Sequence, residues 1–114
     1  MRGMWGKINN ERQVCIMQFS VRVSNHQKNQ VLNICDPNLV GKKLNQKNLQ
    51  LHISKSYYGE KLVEKEEAEN LLKNSSIINM VGKKTISLSI SIGVGSEKGI
   101  KEIDGIPFLI VFKI

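Results

Sequence analysis

Cys35, Asp36, Lys42 and Tyr58 are the residues of this chain whose types could do covalent or acid–base chemistry. A thiol beside a carboxylate, followed by an ammonium and a phenol, is a set that a small enzyme acting on an anionic substrate could use. Cys35 sits where Asp36-Pro37 opens a helix, a position that lowers a thiol's pKa. Against this, the chain has no G-x-S-x-G and no Cys–His signature. A structural thiol ending a strand is the competing reading of Cys35, and no residue is assigned as catalytic.

The second chemistry is binding. Ser56-Tyr57-Tyr58-Gly59 places both tyrosines of the chain on a connector, flanked by Lys55 and Lys61. Tyrosines there can stack on bases, each contact worth roughly 1–3 kcal/mol. The alternative is that one tyrosine plugs the core while Gly59 supplies a positive-φ turn. The formal charge is +7, and it is unevenly spread. Residues 1–55 hold nine Lys/Arg against two acids, and residues 60–69 hold five Glu against two Lys. A basic excess of this kind attracts nucleic-acid phosphates. Lys42, Lys43, Lys47, Lys55, Lys61, Lys83 and Lys84 are the candidate phosphate contacts, with Tyr57 and Tyr58 stacking or anchoring. Most of the cations are Lys, a point charge without the bidentate fork of Arg, which also suits a merely solvated surface.

Other classes find little support. Two cysteines without a C-x-x-C pair, and His26 and His52 at no standard spacing, do not make a zinc site. Gly93-x-Gly95-x-x-x-Gly99 lacks a following G-K-[ST] and reads as a turn. No cofactor is expected. No apolar run is long enough to span a bilayer, and residues 1–7 lack a signal-peptide core, so a cytoplasmic protein without membrane contact is expected.

The elements that must position these residues follow from periodicity. Residues 1–16 stand apart as an extension, and Met17 could be a natural start; with Arg2, Lys7 and Arg12 beside Trp5 it suits a basic arm ordered on binding. Residues 17–114 form one α+β domain. Phe19, Val21 and Val23 alternate with polar residues, and Val31–Cys35 is a second strand, giving a hairpin with a longer polar loop over Asn25–Gln30. Asp36 caps a short helix with Pro37 at its first position. Leu49, Leu51 and Ile53 mark a third strand. A helix from about Glu64 to Lys73 carries Ala68, Leu71 and Leu72 on its apolar stripe and its acids in the first turn. Thr85–Ile92 alternates like a strand. Ile100–Ile114 closes the sheet as a hairpin turning at Asp104-Gly105, with Phe108–Phe112 buried on both faces.

The order of short motifs is distinctive: Cys35-Asp36, Leu39-Val40-Gly41-Lys42, a Leu-x-Leu-x-Ile-Ser strand ending at Ser54, Ser56-Tyr57-Tyr58-Gly59, Leu62-Val63 before a Glu-rich helix, Asn79-Met80-Val81-Gly82, and Gly105-Ile106-Pro107. Over about residues 17–114 the chain resembles the archaeal family known as domain of unknown function 424. The resemblance implies a helix over about Gly82–Ile92, from which Ser87, Ser89 and Ser91 depart in character. Phe108 stands where the family often carries His. The family supplies no established activity, but suggests a link to translation.

These readings give a small α+β domain, a mixed or antiparallel sheet packed with two to three helices. The leading expectation is a non-catalytic RNA- or ribosome-associated protein. Its partners would be ribosomal or other structured RNA, with ribosomal proteins as a further possibility and no DNA sequence specificity. The alternatives are the enzyme on Cys35, Asp36, Tyr58 and Lys42, and a protein–protein adaptor using the acidic Glu64–Glu69 helix.

Overall fold

The computed structural model describes residues 17–113; the expected basic arm over residues 1–16 lies outside them. The hairpin is present as β1 (Gln18–His26) and β2 (Asn29–Cys35). Its loop is shorter than the polar run suggested. The strands pair as far as His26 and Asn29, and the turn is Gln27-Lys28 alone, at φ 51° and 70°. Two positive-φ residues match the right-handed twist of the flanking strands.

Six strands form one mixed sheet in the order β5-β1-β2-β6-β8-β7, adding β5 (Lys61–Glu64), β6 (Ile77–Val81), β7 (Lys101–Ile103) and β8 (Ile106–Phe112). Only β2 and β6 run parallel; the other neighbours are antiparallel. Alternation divides the sheet into two faces. One carries Phe19, Val21, Leu32, Ile34, Ile78, Met80 and Leu109, all buried. Helices α2 (Lys65–Asn74) and α3 (Lys83–Ser91) supply Ala68, Leu72, Ile86 and Leu88 to the same cluster. Full burial of such side chains contributes about 1.5–3 kcal/mol each. Lys113, the residue after the last strand, also holds α2 in place: its Nζ donates to the carbonyls of Leu72 at 2.6 Å and Lys73 at 3.0 Å, a cation at the negative end of the helix.

The opposite face is only partly covered. A separate hairpin, β3 (Lys43–Gln46) with β4 (Leu49–His52), and the single turn α1 (Lys55–Tyr58) lie over one end of it. There Leu44 and Ile53 form a second cluster with Cys35, Leu39 and Val81. Leu49–Ile53 is therefore half of a satellite hairpin and not a third strand of the main sheet.

Of the two readings of Thr85–Ile92, the helix implied by the family resemblance holds: the segment lies in α3 and its C-cap, with Thr85, Leu88 and Ser89 buried at helical spacing. One further expectation is corrected. Phe108–Phe112 is not buried on both faces. Ile110 and Phe112 are 58% and 69% exposed on the uncovered side.

Candidate nucleic-acid interface

Asp36 is the hinge of the motif residues, though not as the cap of its own turn. The 3-10 turn Pro37–Leu39 receives no hydrogen bond from its side chain. The carboxylate instead crosses to α3. Oδ2 accepts from Lys84 N–H at 3.2 Å, and Oδ1 accepts from both Thr85 N–H and Thr85 Oγ1 at 2.8 Å. It caps the helix from a distant strand end, satisfying first-turn donors where the dipole favours an anion. Gly82 makes the approach possible. At φ +106° it turns the chain into α3, and a Cβ there would lie 2.4 Å from Asp36 Cγ. Gly82 N–H is fixed by the Pro107 carbonyl at 3.0 Å, and Asp36 N–H by the Val81 carbonyl at 3.1 Å. Asp36, Gly82 and Pro107 thus form one structural joint. Lys83 and Lys84 are exposed beside it.

Cys35 is fully buried, and its thiol donates to the Asp36 carbonyl at 3.2 Å. Burial first, then the neighbouring Asp36 charge, push its pKa up to about 12. A thiol held this way is protonated at neutral pH and is a poor nucleophile. Tyr58 packs on the same cluster, and burial, with Cys35 next, raises its phenol pKa. Asp36 is committed to its cap, and Lys42 is exposed. Among the described residues these four supply no activated nucleophile and no base poised beside one. No group of three or more His, Cys, Asp or Glu gathers among them either.

The tyrosine motif is a helical turn and not an irregular connector. Ser54 Oγ accepts from Tyr57 N–H at 3.2 Å as N-cap, and lies 3.2 Å from Ser56 Oγ. Gly59 closes the turn, its N–H on the Lys55 carbonyl at 2.7 Å. Its φ is −116°, so the expected positive-φ turn is absent; a Cβ would meet the Lys55 backbone oxygen at 2.9 Å, and lack of a side chain is what fits. Gly41 is the motif glycine that does need positive φ, at +96°, where its N–H meets the Ile53 carbonyl at 2.6 Å to close the satellite hairpin. The two tyrosines diverge: Tyr58 is half-buried, and Tyr57 is 59% exposed.

A line of polar side chains binds α1 to the sheet. Ser20 Oγ donates to the Tyr58 carbonyl at 2.5 Å, and Asn33 Nδ2 to the Tyr57 carbonyl at 3.1 Å. Asn79 Nδ2 donates to Asn33 Oδ1 at 2.7 Å. Asn33 and Asn79 face each other across the parallel pair β2–β6, which explains the motif asparagine. Beyond it, among the described residues, no element covers this face of the sheet. Ile110 pairs with Asn79, and Phe112 with Ile77, on the same side as Arg22 and Asn33. Between this surface, α1 and the satellite hairpin lies a cleft of about 490 Å³, whose lining includes Leu51, Tyr58, Asn79, Lys101, Phe108 and Ile110.

The predicted cations are not gathered at one point. Lys42, Lys43 and Lys47 belong to the satellite hairpin and its approach, Lys55 to α1, and Lys83 and Lys84 to the start of α3. Lys61 is paired with Glu67 at 3.2 Å, exposed and weak. Sequence reasoning missed Asn33, Lys101, Ile110 and Phe112. The alternation in β8 does separate Phe108, Ile110 and Phe112 from Pro107, Leu109 and Val111, but which side lacks a helix is a tertiary fact.

A family model described as "Protein of unknown function (DUF424)" matches residues 24–114. No curated protein matches. Among solved structures, an uncharacterized conserved protein from Methanopyrus kandleri has 24% identity and a TM-score of 0.74, over 85% of this chain and 92% of that one. That likeness concerns the fold.

Proposed function

We propose, from the premise that the chain belongs to the family of proteins of unknown function DUF424, that it is a non-catalytic RNA-binding protein associated with the ribosome and translation. The observation that carries the reading is the half-bare sheet face. It exposes Tyr57, Ile110 and Phe112 next to Arg22, Asn33 and Asn79. Sequence-specific RNA recognition targets unstacked bases in loops and ends, and sheet faces bearing aromatic and amide side chains suit them. Lys47, Lys55 and Lys101 are exposed on elements around this face and would meet phosphates. The +7 charge adds long-range attraction. The partner is then a single-stranded segment within a structured RNA. Lys83 and Lys84, at the start of α3, would contact a second stretch of backbone.

The deciding experiment is ribosome sedimentation from native lysate, combined with RNA binding across a salt series. The expected result is ribosome association and an affinity that falls by about 0.7 logarithmic units per contacted phosphate for each tenfold rise in salt, the slope of a single strand. A protein that stays at the top of the gradient and shows no salt-dependent RNA affinity refutes the proposal.

A further inference from the structure

The cleft beside the bare sheet carries an unused recognition group. The Tyr57 carbonyl can only accept, so Asn33 must turn its NH2 toward it. Asn33 Oδ1 is then the acceptor for Asn79 Nδ2 at 2.7 Å. This relay fixes which way Asn79 points. Among the described residues, Asn79 Oδ1 and its second N–H have no further partner, and Asn79 lines the cleft. Tyr58 and Leu51 on one side, and Phe108 and Ile110 from β8, add apolar lining around it. Lys101 stands opposite Phe108 in the β7–β8 register and also lines the cleft.

We infer that this cleft takes a single extruded adenine base of an RNA strand, with Asn79 pairing to its edge and Lys101 meeting the attached phosphate. The inference rests on the RNA-binding reading and specifies its substrate. Two features select adenine, and the volume admits it. An amide offering one donor and one acceptor makes a bidentate pair with the adenine amino group and the adjacent ring nitrogen. The remaining lining is apolar, so a base with a further carbonyl would bury it unpaired, and an unmet buried acceptor is costly. Adenine has no carbonyl. The volume, about 490 Å³, falls within the usual range for small-ligand sites, roughly 300–1,000 Å³.

The test compares oligoadenylate, oligouridylate and oligocytidylate of equal length, together with AMP, on the full chain. Binding is read by fluorescence anisotropy, and the cleft by backbone amide resonances. Oligoadenylate is expected to bind about tenfold tighter than the others, the discrimination one bidentate amide–base pair supplies. AMP should shift Tyr58, Asn79 and Phe108. Asn79→Ala should erase the preference. Because that change also cuts the relay to Asn33, Ile110→Asp serves as the second variant: its side chain is exposed, so the protein should stay folded with a modestly lower melting temperature, and the preference should also be abolished. Equal binding of the three oligomers overturns the inference while leaving RNA binding intact. If none of the oligomers binds, the RNA reading fails, and the AMP shifts alone decide whether the cleft takes adenine: their presence supports it and their absence overturns it.

Discussion

The Asp36 carboxylate reaches from the end of β2 to Thr85 in the first turn of α3, where Oδ1 accepts from the backbone N–H and the hydroxyl, both at 2.8 Å. One side chain thereby ties the central strand to the helix that seals the core, and the chemistry of Asp36 is spent on architecture.

Asp36→Ala should cost about 2–3 kcal/mol, more than an exposed cap, because it strands two buried donors on Thr85 and the part-buried N–H of Lys84. Urea denaturation followed by far-UV circular dichroism measures it. A loss below the error of that measurement would mean that the cap is not needed.

Gly82→Ala should be at least as damaging. A Cβ would fall 2.4 Å from Asp36 Cγ at a φ of +106°, so steric clash and backbone strain act together. A soluble Gly82→Ala protein with an unchanged melting temperature would contradict this geometry.

Ser89 presents the opposite case. Its hydroxyl is buried in α3 and has no hydrogen-bond partner among the described residues. Ser89→Ala should therefore be neutral or stabilising by up to about 1 kcal/mol, since it removes a desolvated polar group without making a cavity. Thermal denaturation gives the sign directly.

The Cys35 thiol makes stability depend on alkaline pH. Its folded pKa, about 12, lies above the unfolded value of about 8.5. Between these the unfolded chain releases a proton that the folded chain keeps. Stability is therefore fully present below about pH 8.5 and declines as pH rises toward 12. Tyr58, also raised, acts in the same direction. Cys35→Ala should flatten the Cys35 part of that decline. In the native protein at neutral pH, peptide-resolved mass spectrometry should find Cys35 resistant to iodoacetamide until urea is added.

Tyr57→Ala separates recognition from folding. At an exposed position it should change stability by no more than about 0.5 kcal/mol. If Tyr57 stacks on a base, RNA affinity should weaken by about 1–3 kcal/mol. Lys47→Ala, by contrast, should weaken every RNA alike and make the salt dependence shallower. Anisotropy titrations at several salt concentrations distinguish the two patterns.

Much of the fold follows from local pattern. The alternation of Phe19, Val21 and Val23, the apolar stripe of α2 and the Asp104-Gly105 turn each depend on neighbours in sequence, where periodicity and turn chemistry act. The family motifs also appear in order along the chain. What the tertiary structure decided is what the motifs are for. Alternation at Ile86, Leu88 and Ile90 suits a strand, while the family resemblance implies a helix; the structure has the helix, capped by the distant Asp36 and packed by Ile86 and Leu88 on the core. Asp36 looks like the cap of its own turn because its partner lies 49 residues away. Cys35 is fully buried and the Asp36 carboxylate is taken up by α3, properties that no spacing records. Conversely, Asn79, Ile110 and Phe112 become a candidate recognition surface because α2 and α3 both pack on the other face of the sheet. The order of residues sets which side chains share a face; the placement of helices sets which face is left for a partner.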